Sequence, residues 1–186
     1  MKNQAVRVVS GATLALVALG LLPAQQAVAV GAGPDFVYSV TPCRILDTRL
    51  GSGIFAGKLL PGETLSLNTY GGNIILQGGS QSNCPDIPSD ATGIFMNIIA
   101  VEASGSFNND LGIKPFGSAL GGATAINYTP GVFALNNGLF AGTCWGQFLY
   151  GAPPTTGSCT QDISITNGAG ASAHVVIDVT GFTRNF

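Results

Sequence analysis

Charge is scarce in this chain. Lys and Arg together number 7 and Asp and Glu 9, so charged side chains make up 9% of the sequence, where a soluble domain carries about a quarter. Nothing forms a basic stripe, and the chain lacks the electrostatic footprint of a nucleic-acid binder. Histidine occurs once, at His174, so a His-rich metal centre cannot be assembled and no metal is implied. A serine hydrolase would need that single ring as its base. The surrounding GASAH is not the G-x-S-x-G elbow, so His174 reads as a strand residue whose ring is bonded or solvated. Glycine pairs occur without a following Lys-Ser/Thr, which leaves no phosphate loop. No C-x-x-C occurs, which excludes a zinc ribbon or a thioredoxin-type motif. Beyond the first thirty residues, no stretch of a dozen shows helical spacing with caps.

The N-terminus reads as an export signal. Lys2 and Arg7 precede an apolar stretch from Val8 to Leu22, and Ala27-Val28-Ala29 supplies a small-x-small cleavage site. Ser10, Gly11 and Thr13 interrupt the apolar run, which falls short of the ~20 residues that span a bilayer. The expected division is therefore a signal peptide over 1–29 and one domain over 30–186, with a short N-terminal arm at 30–35 and no membrane span after cleavage. Removing Lys2 and Arg7 leaves five basic against nine acidic residues, a net charge of about −4. The expected location is secreted or cell-surface.

All four cysteines, Cys43, Cys84, Cys144 and Cys159, follow the cleavage site. An even count in an exported chain reads as disulfides. Of the three possible pairings, Cys43–Cys84 with Cys144–Cys159 is favoured, because the second closes WGQFLYGAPPTTGS, a Pro- and Gly-containing segment suited to a surface excursion.

The rest of the chain consists of short apolar runs separated by Gly, Pro, Asn and Asp. ETLSLN and QDISITN alternate apolar and polar residues, a strand signal. GIFMNIIAV is apolar on both faces apart from Asn97 and reads as a central strand. HVVIDVTGF places Val175, Ile177 and Val179 on one face and His174, Val176 and Asp178 on the other. About nine closely spaced strands predict an all-β fold, a single antiparallel β-sandwich that is jelly-roll-like and disulfide-stapled.

FVYSVTPCRILDTR, CPDIPSDATGIFMNIIAV, ATAINYTPG and AHVVIDVTGF resemble the successive motifs of a domain of bacterial exported proteins, with a "PCRxxDTR" opening, an "IPADA…LNVTAV" middle and a "VIDVxGYF" close. The resemblance spans residues 36–184. The chain departs from it at Phe182-Thr183, where the ending is usually Tyr-Phe, and in the Cys144–Cys159 loop. What the resemblance implies is a sandwich fold and an exported location; it implies no catalytic residues.

Four groups of residues are candidates for function. Arg44, Asp47 and Arg49 cluster in a nearly uncharged chain. On strict alternation Cys43, Ile45 and Asp47 share one strand face, and Arg44, Leu46 and Thr48 the other. Because the first and last strands of a sandwich often adjoin, Arg44 or Arg49 is expected to form a fork-like ion pair with Asp178 or Asp47, a structural strut rather than a site. Trp145, Phe148 and Tyr150 lie inside the short disulfide loop, where they either stack on a sugar or protein partner or cover one end of the core. Glu63, Glu102, Asp47, Asp110, Asp162 and Asp178 are the carboxylates from which a glycosidase pair would be drawn. FNNDLG lacks the D-x-D-x-D-G calcium pattern and reads as an Asn/Asp turn.

The expected function is non-catalytic: an exported structural or adhesive subunit of an extracellular or cell-surface assembly, self-associating as a homo-oligomer or filament, with no cofactor. Two alternatives stand beside it. One is a carbohydrate-binding module using the Trp145 loop, which would make a surface glycan or protein the partner. The other is a small secreted hydrolase.

Overall fold

A computed structural model describes residues 33–119, 122–150 and 157–186. The signal segment 1–29 and residues 30–32 of the arm lie outside the described residues. Eight strands are described: β1 (Phe36–Asp47), β2 (Thr64–Leu67), β3 (Gly93–Gly105), β4 (Asn109–Pro115), β5 (Ala123–Tyr128), β6 (Ala134–Gly142), β7 (Ile163–Asn167) and β8 (Ala171–Arg184). The count stands beside an expected nine or so, and β1, β3 and β8 are long, at 12, 13 and 14 residues.

The strands form two four-stranded antiparallel sheets, ordered β1-β8-β3-β6 and β2-β7-β4-β5. The pairs β4–β5, β3–β6, β2–β7 and β1–β8 are those of one long hairpin rolled up so that successive pairs fall in alternate sheets. This is the jelly roll, an architecture with two packed sheets. Period-two alternation turns Leu65 and Leu67, Ile94, Met96 and Ile98, Ile163 and Ile165, and Val175, Ile177 and Val179 into one buried core. β3 lies between β8 and β6; Ile94, Met96, Ile98 and Ala100 face the core, while Phe95, Asn97 and Ile99 on its other face are half-buried or exposed.

β1 departs from strict alternation. Arg44 pairs with Asp178 and Leu46 with Ile177, so Ile45 is an extra residue, a β-bulge. The expected division of faces is therefore corrected: Ile45 and Leu46 are both fully buried, and Arg44 reaches Asp47. A bulge leaves a ladder carbonyl without its strand partner, and here the Ile45 carbonyl accepts from Gln77 Nε2 at 2.7 Å. The same buried amide donates to the Asn68 carbonyl at 3.0 Å and accepts from the Asn68 N–H at 2.9 Å. Gly78 follows at φ +78° and passes so close to β1 that a Cβ would collide with the Asp47 carbonyl. Gln77→Ala should lose about 2–3 kcal/mol of stability in urea unfolding, because the buried Ile45 carbonyl and the two half-buried backbone groups of Asn68 lose their partner. A wild-type unfolding midpoint would contradict this account of the bulge.

Candidate functional site

The charged cluster joins the first strand to the last. Arg44 grips Asp178 with Nε on Oδ1 at 2.8 Å and Nη2 on Oδ2 at 3.2 Å, a fork-on-fork pair. Its Nη1 donates to Asp47 Oδ2 at 3.2 Å. Arg49 grips Asp47 in turn, Nε on Oδ1 at 2.8 Å and Nη2 on Oδ2 at 2.7 Å, and its backbone N–H adds a bond at 3.1 Å. The Asp47 side chain is 0% exposed while those of Arg44 and Arg49 are 39% and 40% exposed, so the network is a buried carboxylate held by two arginines that reach solvent. Burial pushes the Asp47 carboxyl upward, but the hydrogen bonds and charge of Arg49, joined by the charge of Arg44, outweigh it and hold its pKa below the ordinary value.

His174 is bonded within the fold. Thr48 Oγ1 accepts from the Val175 N–H at 3.0 Å and shares a hydrogen bond with His174 Nδ1 at 3.1 Å. Burial lowers the pKa of the ring, against the charge of Glu102. Thr48 is fully buried and cannot present its hydroxyl to a substrate. Among the carboxylates, Glu63 accepts from the Leu60 N–H, Asp110 from Thr124 and Asp162 from Thr69. No group of three or more His, Cys, Asp or Glu could hold a metal ion among the described residues. The FNND turn is corrected in its extent: Asn109 and Asp110 already belong to β4. The Asn109 side chain is buried, donating to Tyr128 and Asn167 and accepting from the Gly170 N–H.

Cys43 is bonded to Cys84 and Cys144 to Cys159. The short loop closed by the second bridge begins as a helix, α2 (Cys144–Leu149), rather than as an irregular excursion; residues 151–156 lie outside the described residues. Thr143 caps α2 by accepting from the Gly146 N–H at 3.1 Å, and Gly146 seats the helix so closely on Thr92 that a Cβ would collide with its carbonyl. Trp145 and Phe148, one turn apart on α2, hold their rings nearly parallel, 19° between planes and 6.4 Å between centroids. They are 41% and 46% exposed. Tyr150 has a different role. Its hydroxyl bonds to Asp35, which, with burial and the charge of that carboxylate, pushes its pKa up to about 12.

Beneath the two rings is a cleft of about 310 Å³ lined by Tyr70, Ser89, Trp145, Phe148, Cys159 and Asp162. Asp162 Oδ2 accepts from the Thr69 N–H at 2.7 Å and from its hydroxyl at 2.9 Å. Burial raises the Asp162 pKa, partly offset by those two bonds. Sequence reasoning did not connect Asp162, Tyr70 and Ser89 to the aromatic loop. The available signal was the position of Asp162 three residues beyond Cys159, which the disulfide carries back to Cys144.

The sheet edges differ. β2 ends one sheet with only 4 residues. β6 ends the other with 9, ALNNGLFAG, which include no charge and no proline. Ala134–Gly138 are exposed throughout, as is Phe140. At the opposite edge of that sheet, Phe36, Val37 and Tyr38 of β1 are exposed as well. β1 pairs with β8 from Phe36 onward, so residues 36–40 belong to the molecule's own first strand. The arm residues ahead of it fold back: the Gly33 carbonyl accepts from Asn185, and the Phe36 ring meets Phe186 at 6.0 Å.

No protein-family model, curated protein or solved structure matches the chain.

Proposed function

We propose that this protein is an exported, non-catalytic structural subunit that assembles with copies of itself through the edges of its β1-β8-β3-β6 sheet. The observation that carries the reading is β6. An exposed strand presents a row of unpaired backbone groups, and proteins that stay monomeric blunt such edges with charge, proline, a short strand or a cover. β6 is long and has neither charge nor proline. The export half rests on the signal pattern of residues 1–29 and on the resemblance to exported bacterial domains. The two disulfides and the absence, among the described residues, of a helix able to cross a membrane are consistent with an extracellular place.

The complementary surface is the start of β1, Phe36–Ser39, which is the other edge of the same sheet and equally free of charge. Pairing β6 of one copy with β1 of the next uses two different patches. Such a heterologous contact repeats into a filament unless its rotation closes a ring. The double variant Ala134→Lys/Asn136→Lys places charge on exposed positions of β6. Light scattering of this variant should show subunits where the unaltered protein shows multimers, with the unfolding midpoint kept within about 0.5 kcal/mol of stability. An unchanged particle mass would remove β6 from the interface.

A further inference from the structure

We propose that the cleft beneath α2 is a sugar site that takes a neutral pyranose ring, with Trp145 and Phe148 as its platform and Asp162 as the acceptor for its hydroxyls. The site does not depend on the assembly described above.

A pyranose has one face of C–H bonds and a rim of hydroxyls, so its receptor needs a flat aromatic surface beside fixed acceptors. Trp145 and Phe148 supply the surface: their rings are stacked within 19° of parallel, 6.4 Å between centroids, and both stay open to solvent. The polarised C–H face rests on the negative face of such rings. The acceptor is Asp162. Thr69 occupies its Oδ2 with two bonds, while Oδ1 has no hydrogen-bond partner among the described residues and is left for a ligand hydroxyl. Tyr70 and Ser89 add hydroxyls at the wall. The volume of about 310 Å³ is at the small end of ligand pockets, about 300–1,000 Å³, which suits one or two sugar rings. The platform is rigid, since the Cys144–Cys159 bridge, the Thr143 cap and the seating of Gly146 on Thr92 all fix α2.

Other ligand classes fit less well. Among the described residues no basic side chain lines the cleft, so a phosphate or carboxylate would meet the charge of Asp162 there. A quaternary ammonium is held by aromatic walls that face it from several directions; Trp145 and Phe148 lie nearly parallel and Tyr70 is the one further ring at the cleft among the described residues, so choline is tested as the competitor.

Trp145 is the single tryptophan of the chain, so its emission reports the cleft alone. The disulfide-bonded protein is titrated with the methyl pyranosides of glucose, galactose, mannose and N-acetylglucosamine, with choline chloride as the competing chemistry. At least one pyranoside should shift the emission saturably, with a midpoint on the order of millimolar. Phe148→Ala should raise that midpoint about tenfold, the size of one lost ring contact. Asp162→Asn should raise it at least as much, through the weaker acceptor. Phe148 is half exposed, so its variant keeps the fold, and an unchanged near-ultraviolet dichroism spectrum checks this. No response to any of the four sugars overturns the proposal, as does saturation by choline at lower concentration or a midpoint unmoved by Phe148→Ala.

Discussion

Arg44→Ala/Arg49→Ala should lose about 3–5 kcal/mol of folding stability, more than the sum of the two single changes. The reason is that both arginines serve one buried carboxylate. Arg49→Ala alone leaves Asp47 with Arg44 Nη1 and the backbone N–H of residue 49. Arg44→Ala alone leaves it the two-pronged grip of Arg49. Each single change should cost about 1–2 kcal/mol, between the values for an exposed and a buried pair. Only the double change strands the charge. The pH dependence gives a second reading. In the intact protein the Asp47 pKa lies below its unfolded value of about 3.9, so its contribution is fully present above that value and fades as pH falls through the folded pKa. Without the arginines burial dominates and the folded pKa moves above the unfolded one, so stability is lost as pH rises through it. Urea unfolding near pH 4 and pH 7 should therefore show the double variant closer to the intact protein in acid. Additive losses with an unchanged pH slope would contradict this picture of Asp47.

Cys43→Ala/Cys84→Ala is the second large effect. The bridge spans a sequence separation of 41, and closing a loop of that size in the unfolded chain corresponds to about 4 kcal/mol. Cys144–Cys159 spans 15, which corresponds to about 3 kcal/mol. The longer bridge also holds β1 beside Asn83 and Cys84, whose φ of 59° and 51° are left-handed without glycine, so its removal frees a constrained corner next to the Ile45 bulge. Denaturant unfolding of the two double variants should rank the Cys43–Cys84 loss as the larger. The reverse ranking would show that native-state contacts around α2, rather than loop closure, set the contribution of the bridges.

The strands legible in the sequence are those with one face in the core. Leu65 and Leu67, Ile163 and Ile165, and Val175, Ile177 and Val179 declare themselves by alternation because water and core impose opposite demands on neighbouring residues. β6 does not: as an exposed edge its residues face no such division, and ALNNGLFAG carries little period-two signal. The Ile45 bulge was illegible because nothing local marks an extra residue; its partner Gln77 lies 32 positions away. The association of Arg44, Asp47, Arg49 and Asp178 was readable from the scarcity of charge and the adjacency of first and last strands, but the way both arginines meet at Asp47 depends on the bulge. The cleft was half visible. Trp145 and Phe148 stood out within a disulfide loop, whereas Tyr70 and Ser89 reach it only through the jelly-roll path between the sheets.

The most direct test of the central claim is the mass and shape of the intact, disulfide-bonded protein, measured by light scattering and viewed by electron microscopy. Edge-to-edge assembly through β6 and β1 predicts particles of many subunits, extended or closed into rings, that dissociate on Ala134→Lys/Asn136→Lys. A monodisperse monomer at all concentrations would contradict it.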